Sequence, residues 1–179
     1  MKKAIMYGAG NIGRGFIGQL FSQSGYEVAF IDVNMTVIDR LNADREYPVY
    51  ITAGDHYDIC PVKNVCGIDG KDVPAIAEAM AEADVMATAV GVNILKFIAA
   101  PFAAGVKRRM EKGIEAPLNV IICENMIGAD SYFAGLVKQN LDDAEKAYFD
   151  SHIALVEPSI GRMVPATPKE IAEKNPLAV

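Results

Sequence analysis

The chain's 179 residues, 51% of them hydrophobic, suffice for one domain whose core closes without disulfides, because at this size roughly 70% of the unfolded surface is buried on folding. Its net charge of −6 repels phosphate backbones and argues against nucleic acid as a partner. Three scattered cysteines (Cys60, Cys66, Cys123) and two distant histidines (His56, His152) form no CxxC pair or zinc-type cluster, so the expectation is reduced thiols and no metal.

Apolar runs of strand length alternate with segments of helical period. Residues 4–7 form a first short strand, and residues 11–24 follow as a helix with Ile12, Phe16, Ile17, Leu20 and Phe21 on one face. Residues 28–31 are the next strand. A helix over 36–43 turns Val37, Ile38 and Leu41 inward. Between Tyr47 and Val62, two strand-like runs flank Ala53-Gly54-Asp55, which predicts a β-hairpin insertion.

Residues 72–83 are helical and 84–90 form another buried strand. A long helical stretch spans 93–112 but contains Pro101, which should kink or divide it. Residues 118–123 make a strand, 131–140 and 143–150 helices, and 153–156 a last strand. Beyond Arg162 the chain turns polar and is punctuated by Pro165, Pro168 and Pro176. The expected organisation is a nucleotide-binding domain over residues 1–165, then a linker and the start of a further domain over 166–179. Only residues 4–7 separate the amino-terminal lysines from glycine, too short for a signal core, and no stretch approaches a membrane span. A cytoplasmic protein with no membrane partner is the expectation.

The alternation predicts an α/β fold: a doubly wound, mostly parallel Rossmann-type sheet with the hairpin inserted. Gly8-Ala9-Gly10-Asn11-Ile12-Gly13 supplies G-x-G-x-x-G after a strand and at a helix start, with Asp32 ending the next strand about 20 residues on. Gly8 suits the tight turn, Gly10 leaves room for a pyrophosphate, and Gly13 lets helix and sheet approach. The helix amino end faces the phosphates. Asp32 can accept both ribose hydroxyls and repels a 2′-phosphate, which favours NAD, with Val33 beside it. The bland alternative is a tight βα turn with Asp32 capping the following helix. Arg14 suits either a phosphate or a solvated helix surface.

Open α/β sheets bind ligands at the carboxyl ends of their strands. There, Val90-Gly91 leave room against the backbone, and Glu124 and Asn125 can meet nicotinamide or a substrate oxygen. Asn125 bonding its local backbone is the alternative reading.

The run Gly8-Ala9-Gly10-Asn11-Ile12-Gly13-Arg14-Gly15-Phe16-Ile17-Gly18 resembles the opening of the mannitol-1-phosphate 5-dehydrogenase family, within the polyol-specific long-chain dehydrogenases. Further segments match it in order: 30–34, 88–91, 117–126, 162–165 and 175–179. The resemblance implies metal-free, NAD-dependent interconversion of mannitol 1-phosphate and fructose 6-phosphate. It also implies that Asn125 faces the reacting carbonyl oxygen, and that the general base is a lysine in a K-x-x-x-x-N-x-x-H pattern of a carboxy-terminal domain. That pattern is absent from these residues. Ile160-Gly161-Arg162 departs from the family's Val-Asp-Arg and lacks its carboxylate. A sister oxidoreductase acting on hexuronates or free polyols, and a non-catalytic NAD-sensing module, are the alternatives.

Overall fold

A computed structural model describes residues 1–179. The amino-terminal strand β1 (Lys2–Tyr7) runs between β2 (Tyr26–Asp32) and β6 (Val85–Thr88), parallel to both, with Tyr7 in register with Ile31 and Thr88. β5 (Val65–Asp69), β7 (Leu118–Ile122) and β8 (Ile153–Val156) complete a six-stranded parallel sheet in the order β5-β2-β1-β6-β7-β8. Alternation along β1 explains its place in the middle. Ala4 and Met6 enter one hydrophobic cluster, Ile5 and Tyr7 the other, so each face of the sheet has its own core. The order reverses between β1 and β6, which puts a ligand crevice at their carboxyl ends.

The hairpin forms as expected: β3 (Glu46–Ala53) and β4 (His56–Lys63) pair antiparallel, outside the main sheet. α2 (Met35–Asp44) buries Val37, Ile38 and Leu41. Asp72 caps α3 (Val73–Glu82) by accepting from the Ala75 amide at 3.0 Å, and Asp142 with Glu145 forms a capping box on α6 (Asp143–His152). α5 (Ala129–Lys138) buries Phe133 and Val137.

Three features differ from the sequence reading. The helix after the glycines begins as a π-helical segment, Gly13–Gly18, before continuing as α1 (Gln19–Gln23). The wider winding turns Leu20 outward, while Ile17 and Phe21 keep the inward contacts. Of the kink or division expected at Pro101, the division does not occur. α4 (Leu95–Glu111) passes through it, because Ile98, Ala99, Phe102, Ala103 and Val106 are buried on either side. Burying large side chains at about 1.5–3 kcal/mol each outweighs a proline penalty of about 3 kcal/mol. β5 was not expected. Val65-Cys66-Gly67-Ile68-Asp69 has no clean alternation and becomes a strand by pairing with Val28–Asp32 of β2.

The tail also folds. Residues 169–174 form α7 (Lys169–Lys174), and Leu177 and Val179 join the cluster on the hairpin side of the sheet. The Tyr50 amide donates to the Val179 carbonyl at 2.6 Å.

One buried cation ties the other side together. Arg109, 1% exposed near the end of α4, donates to the carbonyls of Met80 (2.9 Å), Ala83 (3.4 Å) and Ala116 (2.6 Å). It thereby joins the end of α3 to the turn before β7. Arg109→Ala should cost roughly 3 kcal/mol or more, because bonds from a charged donor are worth about 1.5–3 kcal/mol each. Glu111→Ala, which removes only the exposed partner of Arg108, should cost far less, because solvent screens such a pair. Urea denaturation of the two variants checks the contrast; similar midpoints would refute it.

Candidate functional site

The chain leaves β1 at Gly8 with φ of +103°, a conformation that disfavours any side chain. A Cβ on Gly8 would sit 2.4 Å from the Ala89 carbonyl oxygen, and one on Gly13 would sit 2.0 Å from the Gly8 oxygen. Those two glycines are demanded by the fold itself. Gly10 is different. Nothing lies within 4 Å of the point its Cβ would occupy, so the protein leaves that space open and imposes no packing reason for glycine there.

Asp32 holds the turn. Its carboxylate accepts from the Ala9 amide (2.7 Å) and the Asn34 amide (2.9 Å), while the Gly8 amide donates to Ile31 O at 2.8 Å. Asn34, not Asp32, is the N-cap of α2, so the capping alternative for Asp32 is corrected. A cleft of about 310 Å³ opens beside this carboxylate, lined by Gly8, Gly10, Val33 and Val90 among others. Asn11 and Ile12 face elsewhere: the Asn11 amide donates to Pro165 O at 3.2 Å, and Ile12 lines a second cleft.

That second cleft lies past β7, where Glu124, Asn125 and Met126 meet residues 157–160. Glu124 spends one oxygen on the Val90 amide (3.0 Å) and the other on the Gly91 amide (2.8 Å). It therefore fixes the turn after β6, where Gly91 has φ of +95°. Asn125 is exposed and has no hydrogen-bond partner in the chain, which removes the local-backbone reading of its amide. Cys123 next to Glu124 is half-buried; burial, with the neighbouring carboxylate, pushes its thiol up to about 12. It stays protonated at neutral pH. Gly161, where the family usually carries a carboxylate, has open space around it.

Arg14 does not lie on a solvated helix surface. It is 7% exposed, and its Nε and Nη1 have no partner in the chain. Burial pushes its pKa down, opposed by Tyr47 and Asp32. The Tyr47 hydroxyl donates to the Arg14 carbonyl at 2.7 Å. Local periodicity carries no sign of this burial, because β3 covers the residue from 33 positions away. Phe97 and Ile94 line the Asp32 cleft and were also missed; only their spacing of three on a helical turn marks them.

Residues 2–179 match the mannitol dehydrogenase Rossmann domain. The chain belongs to the mannitol dehydrogenase Rossmann-domain family. Among its relatives, the mannitol-1-phosphate 5-dehydrogenase of Lactococcus lactis subsp. lactis (strain IL1403) is 41% identical over 93% of this chain and 43% of that protein. That of Brevibacillus brevis is 45% identical over 90% of this chain and 42% of that protein. The chain thus spans less than half the length of these relatives. A similar fold is seen in Pseudomonas fluorescens mannitol 2-dehydrogenase, solved as a ternary complex with NAD and D-mannitol. Its TM-score is 0.75 at 12% identity, covering 97% of this chain and 44% of that one. A D-sorbitol dehydrogenase in substrate-free form gives 0.78 at 14%, covering 97% and 45%. The sheet is of the Rossmann type, and Gly8 and Gly10 line the cleft at its switch in strand order.

The two kinds of glycine predict opposite outcomes. Gly13→Ala, which forces a Cβ into the Gly8 carbonyl, should destabilise the domain by about 1–3 kcal/mol or more. Gly10→Ala should leave the thermal midpoint within a degree or two, since ordinary surface substitutions stay within about 0.5 kcal/mol. Melting curves monitored by circular dichroism decide; an equal loss in both would remove the distinction.

Proposed function

We propose that this domain binds NAD and forms the dinucleotide-binding part of a dehydrogenase interconverting mannitol 1-phosphate and fructose 6-phosphate. The observation that carries the reading is the open space at Gly10 beside a carboxylate already anchored to the glycine turn. The backbone of residues 8–13 suits a pyrophosphate at the helix start. Each oxygen of Asp32 takes one backbone amide and retains a second lone pair for a ribose hydroxyl. The names of the relatives support the substrate assignment.

When bound, NAD supplies the hydride acceptor for the alcohol. The chain's own residues bind and orient. Val90 and Gly91, clamped by Glu124, form a backbone floor next to the cofactor cleft. The free amide of Asn125 is available to donate to a carbonyl oxygen as charge builds there. No histidine or lysine lines the second cleft, and its carboxylates Glu124 and Glu157 each accept backbone amides, Glu157 from Gly128 at 2.8 Å. We place the proton-accepting lysine outside these residues, in the carboxy-terminal domain that residues 166–179 lead toward, with residues 1–165 as the NAD-binding unit. Small sugar phosphates or polyols and that further domain are the proposed partners, and the cytoplasm the proposed setting.

Fluorescence titration of the 179-residue chain should show NADH bound more tightly than NADPH, because Asp32 repels a 2′-phosphate. Asp32→Ala should weaken NADH binding by roughly tenfold, the loss expected for about 1.4 kcal/mol of charge-assisted hydrogen bonding. Equal affinity for the two cofactors would sink the ribose assignment.

The same chain should bind NADH without reducing fructose 6-phosphate at a measurable rate. Loss of a general base alone typically costs 10²–10⁴-fold, and an open cleft adds loss of positioning. Robust turnover that Glu124→Gln abolishes would relocate the base to this domain.

A further inference from the structure

A strand at the edge of a sheet turns every second amide and carbonyl away from its partner, and folded proteins cover such edges or blunt them with charge. In the hairpin sheet both strands are edges. Along β3, residues Tyr47 to Ala53 carry no charge. The outward groups of this strand are already in use at one point. The Val179 amide donates to the Pro48 carbonyl at 3.4 Å, and the Tyr50 amide donates to the Val179 carbonyl at 2.6 Å. One residue bonded to both neighbours of its opposite, here Val49, is the pattern of parallel pairing. Val179 and Val49 also bury their side chains in the same cluster.

This approach is held in place from two sides. Asn175 accepts from the Leu177 amide through its side chain at 2.9 Å and from the Ala178 amide through its carbonyl at 3.0 Å. A Cβ on Gly15 would sit 2.8 Å from Val164 and 3.4 Å from Val179, so the tail packs on bare backbone of the glycine-turn helix. Further along β3 the outward groups are the Tyr50 carbonyl and the Thr52 amide, and neither bonds a residue outside the hairpin. A groove of about 310 Å³ runs beside them, with Ile51, Thr52 and Tyr57 on one wall and Met163, Val164 and Pro165 on the other.

We propose that this edge and groove receive the residues that follow Val179 in the longer protein, as a third strand parallel to β3. The inference rests on the reading above that a further domain follows, and it deepens that reading by naming where the domain is anchored. A parallel partner that meets β3 at Val49 runs the same way as β3, and so enters the groove. The second residue beyond Val179 then donates its amide to the Tyr50 carbonyl and accepts from the Thr52 amide. Backbone bonds supply the attachment, and the apolar walls take the alternate side chains. Val179 already holds the Pro48 and Tyr50 rungs, which leaves little edge for a second copy of the chain. The further domain is thereby fastened to the hairpin and, through Gly15, to the helix of the glycine turn.

The test uses the full-length protein encoded by the native reading frame, labelled with ¹⁵N-threonine, and Thr52→Val identifies the Thr52 signal. The Thr52 amide should exchange with deuterium at least about a hundredfold more slowly than in an unstructured chain. Thr52→Pro removes that donor but leaves the hairpin ladder intact, since Pro48 and Pro61 already occupy the same non-bonded pairing on these strands. Under native limited proteolysis, folded Thr52→Pro should be cut just beyond Val179 at least about tenfold faster than wild type, and Thr52→Val within about twofold of it. A Thr52 amide that exchanges at the unstructured rate overturns the third strand. So does a folded Thr52→Pro that is cut no faster than Thr52→Val. Protection that vanishes on dilution, together with a dimer in sedimentation, assigns the edge to a second copy and overturns the proposal as well. A native reading frame that stops at Val179 overturns the further-domain reading itself, and this inference with it.

Discussion

The chain has to pass from β1 into the next helix through a gap too narrow for side chains, and the rest of the architecture follows from that passage. Gly8 turns with a positive φ against the Ala89 carbonyl, and Gly13 packs its backbone on the Gly8 oxygen. Because both lack a Cβ, β6 can lie directly beside β1, with the Ala89 amide donating to Tyr7 O at 2.9 Å. The crevice at the switch in strand order exists only because the turn is this tight. A bulkier turn would separate the central strands and lose the two hydrophobic faces together.

Two carboxylates at strand ends then do similar work on either side of β1. Asp32 grips the amides of Ala9 and Asn34, and Glu124 grips those of Val90 and Gly91. Each turns a loop into a fixed backbone surface before any ligand arrives. Pre-organisation of this kind lowers the ordering cost of binding. Both oxygens of Glu124 are therefore engaged by the turn after β6. Asn125, one residue on, is exposed and makes no hydrogen bond within the chain.

The tail binds to the same structural centre from outside. Arg162 lies 4.7 Å from the Phe16 ring centroid and donates to Gln19 Oε1 at 2.7 Å, while Asn11 reaches Pro165. Residues 162–165 are therefore held against the helix that follows the glycine turn.

Much of this was legible from local pattern. The spacing of Gly8, Gly10 and Gly13, the alternation in β1 and β2, the apolar face of α2 and the hairpin are all written within windows of a few residues, where steric and periodic rules act directly. The resemblance carried by residues 8–18 and 117–126 reached the family for the same reason, since a motif is a local object. What the sequence by itself determined is the class of fold, the place of the glycine turn, and the acidic residue beside it. Only the tertiary structure decided that Gly10 alone among the motif glycines faces open space and that Arg14 is buried under β3. It alone showed that Val65–Asp69 is a strand, that Glu124 binds backbone amides 33 and 34 residues away, and that Val33, Ile94 and Phe97 share a cleft. Each of these depends on which distant segment arrives next to a residue, and neither propensity nor periodicity encodes the identity of that neighbour.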